Sequence, residues 1–282
     1  MTERGALDDI EKIMKKMNKK FVIFLVCLLT AATSMAQVYH PGEELHYRIS
    51  YRAKLFPNTE VATVDVTTVA DTLDGQPRYR VTGYARTLPA FRWFFNVEDT
   101  YTVWVEPSTL RSVRFESDIR EGRYTFRSRY DYDRTRGEVH TEWQSRRNPV
   151  RTKTMKVTDN GMDPVSLYFN LRSIDTDILK VGDRRSLEMV LEDTVRTLDF
   201  RFLGREVRKV PKSGKFNTLK FACQIGTSDG FSFTDGTEFT VWISDDRNKI
   251  PLYIESPIRV GSIQAYISSF SGLKYPLECR TD

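Results

Sequence analysis

The chain has 282 residues, of which 40% are hydrophobic, 12% aromatic and 29% charged. This composition excludes a disordered chain and an integral membrane protein, and 15 glycines with 11 prolines are too few for a fibrous protein. The net charge of +5 is modest, and residues 1–36 account for two of those charges, so the composition does not indicate a nucleic-acid-binding protein.

The N-terminal residues carry a targeting pattern. Four lysines between residues 15 and 20 precede an apolar stretch at 21–32, and Ser34-Met35-Ala36 is a small-x-small cleavage site. An apolar stretch of about 12 residues falls short of the ~20 that a bilayer span needs, which favours a signal peptide over a membrane anchor. We therefore expect a signal peptide at 1–36, one exported β-rich domain at 37–282 with no membrane span, and a periplasmic or otherwise exported location in a Gram-negative-type envelope. Residues 1–13 fit no targeting pattern, which leaves Met14 and Met17 open as the true start.

From residue 43 onward, apolar and polar residues alternate with a period of two. Residues 45–51 are the first such segment, and others follow as far as residue 267, separated by turn signals such as Asp74-Gly75. Roughly a dozen or more strands at this spacing predict an all-β, mainly antiparallel fold. We expect a strongly curved sheet, in the form of an open barrel or a sandwich.

Residues 88–95 are too apolar for a strand with one wet face. Leu88, Phe91, Trp93, Phe94 and Phe95 place five large apolar side chains in eight positions. Such a segment either caps the core or forms an apolar lip at the mouth of a cavity.

The stretch 111–156 is rich in arginine. In an exported protein this charge could meet anionic lipid or polysaccharide headgroups. The alternation of Arg123, Arg127 and Arg129 with Tyr124 and Phe126 is also typical of the solvated face of a sheet, which is the interpretation we favour.

One short helix is predicted in the middle of the chain. Asp163-Pro164 is an N-cap followed by a first-turn proline, and the apolar spacing that follows is helical up to about Ser173. A helix at 163–173 would either link two sheets or pack as a plug against the concave face of one curved sheet.

No catalytic or metal-binding constellation is evident. Residues 226–230 match the G-x-S-x-G pattern, but a further strand follows and every histidine lies upstream, so we interpret them as a hairpin turn. Three histidines without metal-ligand spacing indicate no zinc site. Asp245 and Asp246, with Asn248, are interpreted as solvated turn residues, because a Ca²⁺ loop needs more oxygen ligands. We expect no cofactor.

Two cysteines, Cys223 and Cys279, follow the predicted cleavage site. One disulfide is open to them in an oxidising compartment. The alternation of Cys223 with Phe221 and Ile225 favours a buried free thiol instead.

Three segments resemble an exported bacterial family, domain of unknown function 3108. They are Gly42 to Tyr47, Asp163 to Arg172, and the C-terminal stretches 241–246, 250–252 and 256–263. Residues 54–60 depart from the glycine-containing turn of that family. The resemblance implies a β-rich envelope protein and brings no established catalytic residue.

We therefore predict a non-enzymatic binding or carrier module for a hydrophobic or lipid-like ligand. The alternative is a structural or protein-interaction module of the envelope with no small-molecule ligand. The candidate ligand-binding residues are aromatic, apart from one arginine on the predicted helix. They are Phe91, Trp93, Phe95, Tyr168, Phe169, Arg172 and Trp242.

Overall fold

The computed structural model describes residues 40–53, 56–225, 238–258 and 261–282. Internal contacts divide the chain into Met1–Gln37 and Val38–Asp282, and the second unit is described here by itself. The predicted signal peptide and the 226–230 motif lie outside the described residues.

Fifteen strands and one α-helix make up the described part of this unit. The strands before the helix are β1 (Glu44–Ala53), β2 (Phe56–Leu73), β3 (Gln76–Thr87), β4 (Glu98–Val105), β5 (Ser112–Glu121), β6 (Tyr124–Asp133), β7 (Glu138–Ser145), β8 (Arg151–Lys156) and β9 (Gly161–Met162). The helix is α1 (Ser166–Ser173). After it come β10 (Arg184–Val190), β11 (Val195–Val210), β12 (Gly214–Ile225), β13 (Glu238–Ser244), β14 (Pro251–Pro257) and β15 (Ser262–Ser271).

All of these strands belong to one sheet, in the order β8 to β1 followed by β15 to β9. Each neighbouring pair is antiparallel except β9 and β10, which are parallel. The first and last strands, β1 and β15, pair at the middle of this order. Near this pair Gly272 has φ +63°, and a Cβ there would collide with the carbonyl of Gly42.

The sheet curls around the helix. Phe169 packs in a cluster with β3 to β7, whereas Leu171 packs in a second cluster with β10 to β13. The two edge strands of the sheet, β8 and β9, are also joined by only four residues, 157–160, which span at most about 14 Å. One face of the sheet is therefore concave, and the helix lies against it.

Among the described residues, no backbone ladder joins the two edges of the sheet. Side-chain hydrogen bonds connect them instead. Thr141 of β7 donates its hydroxyl to the carbonyl of Glu192, 2.6 Å away in the β10–β11 turn. Lys153 of β8 reaches the neighbouring carbonyl of Asp193 at 2.6 Å. The sheet is curved but not closed, which confirms the predicted all-β, open-barrel class.

The predicted mid-chain helix is also confirmed. Asp163 accepts hydrogen bonds from the backbone N–H groups of Val165 and Ser166 at 3.0 and 2.9 Å, as an N-terminal cap does. The helix then ends at Ser173. Its position on the concave face matches the plug alternative. No helix in the described ranges is both long and apolar enough to cross a membrane.

Candidate functional site

The antiparallel topology gives the curved sheet two ends, and they are filled differently. At the helix end, β1 and β5 begin and α1 packs inside. At the loop end, β3 runs into the 88–97 loop and β5 turns into β6 through Gly122. Inward side chains at the helix end, such as Val103, Phe115 and Leu219, are at most 2% exposed.

Two predicted ligand-binding residues lie in this packed helix end. Phe169 is 2% exposed and contacts the apolar cluster that includes Val81 and Phe115. Arg172 has no exposed surface. Both side chains are committed to the core, and this burial does not support the prediction that they bind a ligand. Nothing is described of the side chain of Tyr168.

Arg172 is instead the centre of a buried polar network. Its two terminal nitrogens donate to the two carboxylate oxygens of Glu43, at 2.5 and 2.8 Å. Its Nε donates to the carbonyl of Asn248 at 2.9 Å, and the Asn248 amide donates to the carbonyls of Tyr275 and Pro276. The network joins β1, α1, the β13–β14 turn and the C-terminal segment.

The same network corrects the interpretation of the 245–248 turn. Asn248 is completely buried, and Asp246 accepts backbone hydrogen bonds from Asn248 and Lys249 at 3.0 and 3.2 Å. These residues fix the turn against the C-terminal segment and are not simply solvated. No group of three His, Cys, Asp or Glu side chains suited to a metal ion occurs in the described ranges.

Trp242 is also a structural residue, on the opposite face of the sheet from Val241 and Ile243. It is 4% exposed, and its Nε1 donates to a carboxylate oxygen of Glu206 at 2.6 Å. The guanidinium of Arg208 lies 4.3 Å from its ring centroid. Trp242 is therefore held by packing and a cation–π contact, which do not support the prediction of ligand binding at this position.

The loop end of the concave face is only partly covered. Residues paired across adjacent strands point to the same face, so the inward side chains can be followed around the sheet from the strand register. Towards the loop end the inward apolar side chains are half-buried. They are Ile49, Tyr51, Ala62, Ala85, Ile119, Phe126, Trp143, Phe239, Ile254, Ile263 and Ala265. We call this surface the inner apolar surface. Its side chains are partly exposed to solvent, whereas the inward side chains at the helix end are not.

A few polar groups are set into the inner apolar surface. The hydroxyls of Ser117 and Ser128 are 2.8 Å apart and both are buried. Asp99 is buried and accepts a hydrogen bond from the backbone N–H of Arg120 at 2.9 Å. An apolar surface with a small number of placed polar groups is the usual composition of a ligand site.

Burial raises the pKa of three carboxyl groups near this surface. The pKa of Asp99 is raised by burial and by the charge of Asp118. The pKa of Glu121 is raised by burial and by Asp99, and that of Glu192 is raised chiefly by burial. The protonated, neutral form of each group is favoured relative to water, which makes this part of the surface less polar than its sequence indicates.

The 88–97 loop stands at the loop end with its aromatic side chains in solvent. Trp93, Phe94 and Phe95 are 84%, 80% and 53% exposed. Phe91, another predicted ligand-binding residue, is half-buried. Of the two interpretations of this segment, the core cap is wrong for residues 93–95, and an exposed apolar lip agrees with their position.

The loop is held by its own hydrogen bonds. Thr87 pairs with Val97 at the base, through the backbone at 3.1 Å and through its hydroxyl at 2.9 Å. The Trp93 indole donates to the carbonyl of Ala90 at 3.0 Å, and the rings of Trp93 and Phe94 meet edge to face at 5.8 Å. The exposed aromatics are thus presented in a fixed arrangement.

The sequence did not reveal the tertiary contacts that bury Arg172 and Trp242. The alternation of apolar and polar residues predicts strands, but it carries no signal that Ala85, Ile119 and Ala265 are only half-buried on the concave face. Glu43 could have been noticed as a carboxylate that opens the first strand of a family-like segment.

Comparison with known proteins agrees with this architecture. A family model described as "Protein of unknown function (DUF3108)" matches residues 46–268. No curated protein matches the chain. Among solved structures, the chain is similar to the beta-barrel-like protein of domain of unknown function DUF1849 from Brucella abortus, with a TM-score of 0.54 and 10% identity over 83% of this chain and 98% of that chain. At that identity the likeness shows the fold alone. Because the family model covers well over half of the sequence, the chain belongs to the DUF3108 family of proteins of unknown function.

Proposed function

We propose that the protein is an exported, non-catalytic binding module of the cell envelope that takes a hydrophobic or lipid-like ligand on its inner apolar surface. The observation that carries the proposal is the contrast along the concave face. Inward side chains such as Val103 and Leu219 have no exposed surface, whereas Ala85, Ile119 and Ala265 are half-buried on the same face. When an apolar ligand covers apolar area that is exposed inside a curved sheet, the complex is stabilised by roughly 25 cal/mol per Å² of area buried.

The described histidines and Cys223 support binding rather than catalysis. The ring nitrogens of His46 and His140 contact Asp65 and Thr154, and within the described chain neither meets a serine or cysteine nucleophile. Cys223 is buried, and burial raises the pKa of its thiol to about 12, so it is not an activated nucleophile.

Native mass spectrometry of the protein purified from its own cells tests the ligand. We expect a population heavier than the polypeptide by the mass of a co-purifying lipid, and the extra mass should be lost on delipidation. A bare polypeptide mass that does not change when lipid is added back would contradict the proposal.

Export is tested separately from ligand binding. Cleavage after Ala36 would leave Gln37 at the N-terminus and place the protein in periplasmic extracts. N-terminal sequencing of the purified protein checks this, and a retained 21–32 segment in the membrane fraction would contradict it.

The second candidate function is a protein-interaction module of the envelope. It is favoured by β8, an edge strand in which five of six residues are exposed. A strand edge of this kind can accept an extended segment of another protein. A bare mass together with a stably co-purifying polypeptide would favour this alternative.

A further inference from the structure

We infer that the outer surface beside the 88–97 loop is a docking site for an anionic lipid bilayer, with a phosphate-binding groove next to an aromatic segment that enters the membrane. The site lies on the opposite face of the sheet from the inner apolar surface. The inference goes beyond ligand binding and does not depend on it.

The groove has a volume of about 470 Å³ and is formed between the 88–92 part of the loop and strands β1 to β3 and β15. Three arginines, Arg48, Arg86 and Arg92, contribute to its lining. Ser268 and Ser269 also line it, and the Ser268 hydroxyl already donates to the carbonyl of His46 at 3.0 Å. Guanidinium donors grouped around one concavity are suited to phosphate oxygens.

The groove carries more positive than negative charge. Asp65 is its acidic lining residue, and its carboxylate is already paired with the His46 ring at 2.7 Å and with the Arg86 guanidinium at 3.6 Å. Arg48 forms no hydrogen bond or ion pair within the described residues, although the Glu60 carboxylate lies within electrostatic range. Arg92 is exposed and donates its Nε to the carbonyl of Thr87, at 3.3 Å. Donors on Arg48 and Arg92 thus remain available for an anion.

The aromatic segment follows the groove directly in sequence. Arg92 lines the groove. The next three residues, Trp93, Phe94 and Phe95, carry the most exposed aromatic side chains among the described residues. Three large apolar side chains held in water on this loop would be stabilised by burial in a bilayer interface. A basic groove beside such a segment is the combination that binds anionic membranes.

Other loops at the same end of the sheet add to this charge. Arg123 lies in the β5–β6 turn, and Arg146 and Arg147 lie in the β7–β8 turn, all exposed. Glu98 is an exposed carboxylate nearby, and it accepts a hydrogen bond from the Tyr84 hydroxyl at 2.8 Å. Glu121 and Asp193 also lie at this end of the sheet, so the complementarity to a negatively charged surface rests on the exposed arginines beside the 88–97 loop. We commit to a lipid bilayer as the occupant.

Co-sedimentation with lipid vesicles tests the inference. The full mature chain is mixed with vesicles of phosphatidylcholine alone, or of phosphatidylcholine with phosphatidylglycerol, at low and at high salt. We expect preferential binding to the anionic vesicles that weakens with salt. Replacing Arg48 or Arg92 by Ala should weaken that binding by roughly fivefold each. Phe94→Ser should weaken binding to both kinds of vesicle.

Matched controls separate docking from general effects of charge or exposure. Arg136→Ala removes an arginine whose side chain is 76% exposed at the helix end, and Val181→Ser removes an apolar side chain of a residue that is 73% exposed, away from the 88–97 loop. Neither should change vesicle binding. Thermal melts of each variant should match the parent protein, since none of these side chains lies in the core.

Three results would overturn the inference. One is equal binding to neutral and anionic vesicles, and another is a loss with Arg136→Ala as large as that with Arg92→Ala. The third is calorimetric binding of inorganic phosphate that needs Arg48 and Arg92 without any binding to anionic vesicles, which would assign the groove to a free anion. Ligand occupancy measured by native mass spectrometry is a separate readout, so either proposal can fail alone.

Discussion

Arg172 and Glu43 form a two-pronged ion pair that is almost completely removed from solvent, with 0% and 2% of their side chains exposed. The pair joins the start of the first strand to the last turn of the helix. Burying two charges carries a large desolvation penalty, which is offset when both partners are present and further hydrogen bonds satisfy them. The carbonyl of Asn248 supplies such a hydrogen bond to Arg172.

Removing one partner of this pair should therefore be severely destabilising. Arg172→Met leaves the Glu43 carboxylate buried without its partner and should cost about 3 to 5 kcal/mol. Each kcal/mol lowers the melting temperature of a domain of this size by roughly 2 to 4 °C, which a thermal melt resolves. The double variant Glu43→Met/Arg172→Met should recover part of the loss. Equal melting temperatures for the parent and Arg172→Met would contradict this account.

Phe169→Ala tests whether the helix fills the core or covers a cavity. Because Phe169 packs among Val81, Phe115 and Val139, its truncation should cost on the order of 3 to 5 kcal/mol. Uptake of an apolar fluorescent dye should be unchanged at temperatures where the variant is folded. A small stability loss with altered dye uptake would instead place Phe169 at the ligand.

Filling the inner apolar surface should block ligand uptake at little cost in stability. Ala265 is half-buried on the concave face, so Ala265→Phe should be tolerated and should reduce dye binding. Val241, which is 2% exposed in the packed apolar cluster of the same face, is the control, and Val241→Phe should cost about 1 to 3 kcal/mol by overpacking. If Ala265→Phe destabilises as much as Val241→Phe, the space beside Ala265 is already filled.

The raised pKa of Asp99 has a consequence for stability against pH. In the unfolded chain this group ionises near its ordinary pKa of 3.8, whereas the folded protein retains the proton to higher pH. The folded state then binds more protons than the unfolded state, so this group lowers stability as pH rises from 3.8 through the raised value.

Asp99→Asn removes this titration and keeps an oxygen that can accept the Arg120 N–H. The melting temperature of the variant should rise relative to the parent as pH increases through that window. Parallel melting curves for the two proteins against pH would contradict the effect.

Cys223 and Cys279 are both free and buried, and they belong to different apolar clusters. Both should be resistant to a thiol reagent in the native protein, because burial also raises the pKa of each thiol. After denaturation, both should react without prior reduction, as counted by mass spectrometry. Labelling of neither thiol until a reductant is added would reveal a disulfide.

Local patterns were sufficient for the elements of the fold. The period of two identified the strands, and Asp163-Pro164 located the helix, because capping and alternation depend on residues close in sequence. These patterns could not predict the order of the strands in the sheet, because alternation identifies a strand but does not indicate which other strand pairs with it.

The functional positions depended on contacts that sequence does not display. Arg172 and Glu43 are 129 positions apart, so nothing local indicated that the helix arginine is neutralised inside the core. Asn248 resembled a solvated turn residue until the C-terminal segment was placed over it. For residues 93–95 the composition allowed a core cap or a lip, and only the tertiary structure could separate them.

The strand order has a consequence for how the sheet is assembled. If the order of strands began at β9 and β15 were followed by β1, every strand would pair with its neighbour in sequence, and from β10 to β8 this is an up-and-down meander. The natural chain is that meander opened at the β1–β15 pair, so its central ladder joins residues separated by more than two hundred positions. Contacts of such long range slow folding, because the closure entropy is lost before the ladder forms. A circular permutant opened between residues 157 and 160 would replace this step with local hairpins and should reach the same structure faster.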